Sequence, residues 1–565
     1  MHKNSRKALA LMLVLGLAVS VAASGCSPKS SGTADKPTDT KAVKGGTIKY
    51  YLGDITAIDP YNAQESEGTQ VTQSLFDSLT VIDPKNGTVG ASVAETWSAS
   101  ADAKVWTFKL KSGTKFADGT PVKASDFVYA WNRIAISPVT NAKDPAQIAY
   151  HLSPIVGFDE AQAKGTPMSG VKAIDDVTLE VTLQYAFADW AFVVAHPALA
   201  PVPKALVEGG VDFNGAKVPF AEMPVGNGPF KMSEPWKHDQ YIKVVANADY
   251  YGDKPYIDGV DFMIYKDQDT AYREFQASNL DFTSIPDGQI KAAQAAYGVS
   301  ADGYTVEPGK GALDGAENAI YFFSFDMKKA PMDNEKVRQA VSLAINRQAI
   351  ADTIYEGTRV PADSMVPPAI PAYAKGQWPY AKYDQAAAKQ LLTDAGFPEG
   401  KGLPSIKINY NVGAGHDKVV ELIQSDLKAI GVSTTSEALE GAQHWDYLRT
   451  TKFDMGRDGW IADYPIADNF TYPFFYSKSG DNHSHFSDPA VDSGLETARA
   501  TLDDAARVTA YADLQATIAK SAPVTPIVFY AHRHVGSNRL NNFLYDAQGL
   551  AHFDKAWLTD GGATK

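Results

Sequence analysis

Hydrophobic positions along the chain recur with two periods, and the switches between them separate strands from helices. Residues 47–52 read as a strand, and Ile58-Asp59-Pro60 breaks the run. Over 69–79, Val71, Leu75, Phe76 and Leu79 then recur at helical spacing. Residues 104–111 alternate around Val105, Trp106, Thr107, Phe108, Lys109 and Leu110, as a half-buried strand does. The turn Phe116-Ala117-Asp118-Gly119-Thr120-Pro121 follows, and Ser125 is placed to cap a helix over 126–133. Alternation returns over 177–183. After the loop Gly226-Asn227-Gly228-Pro229, strands are expected at 230–232 and 241–246.

Further along, 334–354 reads as one amphipathic helical stretch with Val337, Ala340, Val341, Ala344 and Ile345 on one face. Asp384 caps a helix that runs through Ala388, Leu391 and Leu392 to a terminating Gly396. Residues 406–411 are strand, 416–430 helix, and the chain returns to strand near Val432. That strand-helix-strand unit implies an α/β fold, a mostly parallel sheet with helices on its faces.

The two ends of the N-terminal region carry different signals. Lys3, Arg6 and Lys7 precede an apolar run over 8–23 that ends in small residues, the arrangement of a secretory leader over 1–25. Cys26, the one cysteine of the chain, stands after Ala23-Ser24-Gly25 and cannot form an internal disulfide. The run resembles a bacterial lipobox, with Ala23 where most carry Leu, so Cys26 is expected to be diacylated and to anchor the protein in the membrane. Residues 26–44, rich in Ser, Lys, Asp, Thr and Pro, are expected to be a flexible tether.

Composition narrows the partners. The chain has 565 residues, longer than one core normally supports, so two or three domains are expected. Its 52 Lys and Arg against 66 Asp and Glu give −14, and loss of the leader's three cations takes this to −17. No basic cluster offers a footprint for phosphates, so nucleic acid is not a partner expected here. The 27 Tyr, 25 Phe and 9 Trp suit packing and also a cleft that grips varied organic ligands.

Seven runs in order carry a family resemblance: Val93-Ala94-Glu95-Thr96-Trp97, residues 106–111, residues 116–121 with Asp126-Phe127, residues 196–204, residues 226–232, Val337-Arg338-Gln339-Ala340, and Asp458-Gly459-Trp460-Ile461-Ala462-Asp463-Tyr464. Together they resemble the family 5 solute-binding proteins that serve ABC importers, the oligopeptide-binding branch most of all. The resemblance implies a periplasmic-binding-protein type II-like fold, with two main lobes joined by a hinge and an inserted smaller domain. Lobe I would be 45–76, 199–318 and 534–565, the inserted domain 77–198, and lobe III, closing over the ligand, 319–533. It also implies short peptides as ligand, an ABC permease with cytoplasmic ATPases as partner, a monomer, no cofactor, and a lipid-anchored position on the extracytoplasmic face of the cell membrane.

On the residues alone, Asp463 reads as the cap of a turn before Pro465. The resemblance implies instead that it pairs with the peptide's α-amino group, and in a dry cleft such a charge-assisted bond is about twice as strong as a neutral one. The backbone from Gly459 through Trp460 and Ile461 to Ala462 would pair with the ligand as an added strand; Trp460 reads equally as a core residue. Arg457 and His416 would meet the carboxylate, and surface exposure is the alternative for both. Relatives have a glutamate where this chain has Gln64, with Glu65 and Glu67 beside it. A lysine used for shorter peptides is absent, and Arg359 lies in its neighbourhood.

Other classes find little support. The sequence holds no His-Glu-x-x-His, no Gly-x-Ser-x-Gly and no cysteine nucleophile in the mature body, so an enzyme is not expected. Asp503-Asp504 reads as a solvated helix face. His483 and His485 form a close histidine pair, too few ligands for a metal site. A same-fold receptor for a cell-wall peptide or metal chelate, or for a peptide pheromone, is the alternative within the fold.

Overall fold

The computed structural model describes residues 42–53, 55–286, 288–412 and 415–562, without the side chains of 441 and 442. The expected leader, Cys26 and most of the tether lie outside them. Among the described residues, no helix is long and apolar enough to cross a membrane.

Three large sheets organise the body. The first has seven strands in the order Phe230–Met232, Tyr241–Ala246, Gly259–Ile264, Thr47–Leu52, Phe282–Ser284, His534–Gly536, Ala312–Leu313. Thr47–Leu52 alternates as a half-buried strand must, with Ile48, Tyr50 and Leu52 inward, and pairs in parallel with Gly259–Ile264. The second is a four-stranded antiparallel sheet of Ala94–Ala99, Val105–Leu110, Thr178–Thr182 and Val171–Asp175. Trp106, Phe108 and Leu110 turn to its core side.

The third sheet runs Val360–Pro361, Val524–Ala531, Ala316–Phe325, Met455–Ile461, Ile406–Asn411, Thr434–Leu439. Its centre, Ala316–Phe325, is buried on both faces. Tyr321, Phe323 and Phe325 enter one core while Ile320 and Phe322 enter another. Such a strand reads as a continuous apolar run rather than an alternation, and truncating Phe322 to Ala would cost about 3–5 kcal/mol. At the far edge, Ile406–Asn411, the helix His416–Ala429 and Thr434–Leu439 form the parallel unit that the sequence pattern implies, but the sheet is not the mostly parallel one expected: three of its five pairings are antiparallel.

Two short connections, 314–315 and 532–533, carry the chain between the first and third sheets. There the His532 ring shares a 2.9 Å hydrogen bond with the Glu317 carboxylate, and the His532 N–H donates to the Gly315 carbonyl at 2.9 Å.

Three local expectations need correction. The stretch 334–354 is two helices, Glu335–Ala344 and Arg347–Ile354, because Ile345 is extended and the Asn346 side chain caps the Ala349 N–H. The first helix is Ser66–Leu75 and stops where Phe76 turns extended, so Leu79 lies beyond it. Ser125 lies inside the helix Ala124–Ala135; the cap position is Lys123, whose N–H donates to the Asp126 carboxylate in the helix's first turn at 2.8 Å.

Candidate functional site

The strand Met455–Ile461 positions the site. Along its whole length it pairs with Ala316–Phe325, from Phe325↔Met455 to Ala319↔Ile461. On its other edge, Ile406–Asn411 pairs only with Met455 and Gly456. From Arg457 onward that edge has no strand partner among the described residues, which leaves room for an extended guest to continue the sheet. Beneath the strand, Asp458 is buried and accepts from Ser324 at 2.9 Å and pairs with His483 at 2.8 Å. Burial opposes the charged ring, but Asp458 outweighs it and raises the His483 pKa.

Arg457 points to a cage of aromatic rings. It is 8% exposed; its guanidinium donates to the Tyr530 hydroxyl at 2.9 Å and to Asn411 Oδ1 at 3.3 Å, and lies 4.8 Å from the Tyr321 ring centre. Gly459 makes this possible, since a Cβ there would stand 2.9 Å from Arg457 Nη2 and 3.2 Å from the Tyr530 hydroxyl. Arg359 lies between the Tyr355 and Tyr530 rings, 4.0 and 4.1 Å from their centres. Among the described residues neither arginine forms an ion pair with a carboxylate, although both are nearly buried, and each leaves its Nε without a hydrogen-bond partner. Buried cations are ordinarily paired.

His416 belongs to the same cluster. It is buried at the start of its helix and shares a 3.1 Å hydrogen bond with the Tyr321 hydroxyl. Burial, with Arg457 and Arg359 adding to it, pushes its pKa down to about 3, so the ring is neutral and the positive charge belongs to the two arginines.

At the other end of the strand, Trp460 packs edge-on against Phe474 at 5.3 Å and donates from Nε1 to Asn469 Oδ1 at 2.9 Å. Ile461 is 48% exposed at the open edge, and Ala462 is buried. Asp463 follows. Its N–H donates to Asn469 Oδ1, and its Oδ2 accepts from Asn469 Nδ2, both at 3.0 Å. Its Oδ1 accepts from the Tyr150 hydroxyl, also at 3.0 Å. Burial pushes the Asp463 pKa up, against His196, Asn469 and Tyr150.

The structure gives the remaining candidates other surroundings. Gln64 is exposed. The Glu65 carboxylate accepts from the Thr56 N–H and hydroxyl at 2.7 and 2.8 Å and from the Ala57 N–H at 3.3 Å, so it braces its own loop. Glu67 lines a small cavity of about 80 Å³ with Tyr50, Gln70, His534 and Tyr545. His483 and His485 do not converge, because each is taken by a different aspartate, Asp458 and Asp326.

Sequence reasoning missed the surroundings of Asp463. His151, between the second sheet's strands Val105–Leu110 and Val171–Asp175, and His196, after its strand Thr178–Thr182, bring ring nitrogens within 4.8 Å of one another and of an Asp463 oxygen. His151 stacks on Tyr150 at 4.1 Å and on His196 at 4.5 Å. His196 lines a cavity of about 520 Å³ with Asp77, Tyr250 and Asp546. An adjoining cavity of about 720 Å³ is lined by Tyr304, Asn318, Pro465 and Gln548. Gln548 also donates to the Asp463 carbonyl at 3.3 Å. Positions 151, 196, 463 and 548 are too far apart in sequence for any spacing rule to link them.

Known proteins match this chain. The model of the bacterial extracellular solute-binding proteins, family 5 Middle, covers residues 88–482, and the chain belongs to that family. It is similar to the oligopeptide-binding protein OppA of Bacillus subtilis, 28% identical over 557 residues, 97% of this chain and 98% of that protein. It is similar also to the periplasmic oligopeptide-binding protein OppA of Salmonella typhimurium, 28% identical over 94% of each chain. Among solved structures, the Escherichia coli murein tripeptide binding protein MppA superposes with a TM-score of 0.73 at 26% identity, covering 92% of this chain and 99% of that one. Haemophilus influenzae OppA in complex with the peptide RPPGFSPFR gives 0.71 at 25%, covering 91% and 99%. The fold is the periplasmic-binding-protein type II kind, and the protein is an extracytoplasmic solute-binding protein.

Proposed function

We propose that this protein captures short peptides outside the membrane and delivers them, chemically unchanged, to an ABC importer. The observation that carries the reading is the charge pattern along one open strand edge: a half-buried carboxylate at Asp463 and, six residues before it, Arg457 and its neighbour Arg359, buried without a carboxylate partner among the described residues. A zwitterionic peptide supplies both missing charges, and its backbone would pair along the 457–461 edge, where the Arg457 carbonyl already bonds His444 at 2.8 Å and the Gly459 N–H already donates to Asp458 Oδ1 at 3.0 Å. An extended stretch of six residues spans about 20 Å at ~3.3 Å per residue, a length that suits a guest held by its ends. Trp460, Ile461 and Ala462 would contribute main-chain contacts rather than side-chain selection. The OppA relatives bear a peptide-binding name, which favours this ligand over a metal chelate.

The three sheets serve as lobe I (45–76, 199–318, 534–565), an inserted domain (77–198) and lobe III (319–533). Hinge motion at 314–315 and 532–533 opens and closes the cleft, and peptide favours closure because the closed form touches it from both sides. Cys26 carries the lipid anchor, residues 26–44 are the tether, and the monomer docks on a permease whose ATPases hydrolyse ATP in the cytoplasm. Mass spectrometry of solutes released by denaturing the purified protein tests the ligand class: linear peptides with free N-termini are expected, and a non-peptide solute alone would contradict it.

A further inference from the structure

We infer that His151, His196 and Asp463 form a binding site for one divalent transition-metal ion of the zinc type, which ties the 77–198 segment to the strand end that carries Asp463. The three donor atoms lie within 4.8 Å of one another, the one such set among the described residues. Two imidazoles and a carboxylate suit zinc and its neighbours rather than calcium or magnesium, which prefer all-oxygen shells. Three protein ligands leave a fourth position for water or a solute.

His151 points to a missing partner. It is 2% exposed, and neither of its ring nitrogens has a hydrogen-bond partner among the described residues. A neutral imidazole has one lone pair and one N–H, so a buried His151 leaves an acceptor unsatisfied, at a cost that a metal ion removes. The Asp463 carboxylate is oriented by Tyr150 and Asn469, in the way that outer partners orient metal ligands.

Some rearrangement accompanies binding. A tetrahedral ion with bonds of about 2.0–2.1 Å holds its ligands roughly 3.4 Å apart, so the three groups draw inward. His196 Nδ1 accepts the Ala198 N–H at 3.2 Å, and coordination exchanges that long bond for the metal. Because Asp463 serves the peptide amine in the proposed function, metal and peptide compete; metal binding itself does not depend on that reading.

The test is calorimetric titration of zinc chloride into the full-length protein without an affinity tag, after chelator treatment and removal of bound solutes. One ion per chain is expected, with cobalt(II) giving the intense visible absorption of a tetrahedral site. His151→Gln and Asp463→Asn should each weaken binding by at least about tenfold, with thermal melts confirming that the variants fold. Should His151→Gln not fold, the half-buried Asp463→Asn carries the test. No zinc uptake by the wild type, or equal affinity in folded Asp463→Asn, would overturn the site.

Discussion

The Tyr150 hydroxyl donates to the Asp463 carboxylate at 3.0 Å, across 313 positions of sequence. This bond joins the segment around residue 150 to the end of the third sheet's open strand, at the point where a ligand's ammonium would arrive. Removing the hydroxyl in Tyr150→Phe deletes one donor to a charged acceptor and keeps the ring on His151. Free-peptide affinity should fall by about 1 kcal/mol, roughly fivefold. Calorimetry checks this, and an unchanged affinity would mean that the bond is incidental to binding.

Arg359 lies between the Tyr355 and Tyr530 rings with no carboxylate ion pair among the described residues. Arg359→Met keeps the stacked stem and removes the buried charge. The melting temperature of the ligand-free protein should hold or rise, because an uncompensated buried charge is a cost. Affinity for peptides with a free C-terminus should fall while C-terminal amides are affected little. A lower melting temperature with unchanged affinity would make Arg359 structural.

Gly459→Ala places a methyl 2.9 Å from Arg457 Nη2. The guanidinium must shift, and it is held by Tyr530 and Asn411. Binding of free-carboxylate peptides should weaken by roughly 1–2 kcal/mol, within the range for crowding a packed site. Stability should change little, and denaturant titration beside calorimetry separates the two effects.

Burial pushes His416 and His534 down to about 3, while an unfolded histidine titrates near ~6.5. As pH falls below about 6.5 the unfolded chain takes up these protons first. The stability that both rings provide is therefore present above that pH and lost as pH falls toward about 3. Each contributes a slope of up to about 1.4 kcal/mol per pH unit. Urea midpoints should decline across this window, and less steeply in His534→Gln; equal slopes would contradict the assignment.

Much of the framework is legible in the sequence because it is local. Thr47–Leu52 and Val105–Leu110 alternate visibly, and Asp384 caps its helix through the Ala387 N–H at 2.9 Å. The break at Ile345 was hidden because Val337, Ala340, Val341 and Ala344 keep a helical period up to the break, which masks the local signal of Asn346 as the cap of the next helix. Likewise Asp503 caps its helix while Asp504 holds Arg507, which also pairs with the buried Asp189 at 2.8 Å. That contact lies more than three hundred positions away in sequence, beyond any periodicity argument. Asp463 belongs to one short motif and Arg457 immediately precedes that motif; their partners Tyr150, Tyr530 and Asn469 come from three different regions of the chain.

The central claim is that Asp463 neutralises a ligand's ammonium group. Calorimetry on Asp463→Ala with a peptide and its N-acetylated form tests it most directly. The free peptide should lose about 3 kcal/mol, more than a hundredfold in affinity, as expected when one partner of a buried pair is removed, and the acetylated form should be nearly unaffected. Equal losses for both peptides would contradict the account.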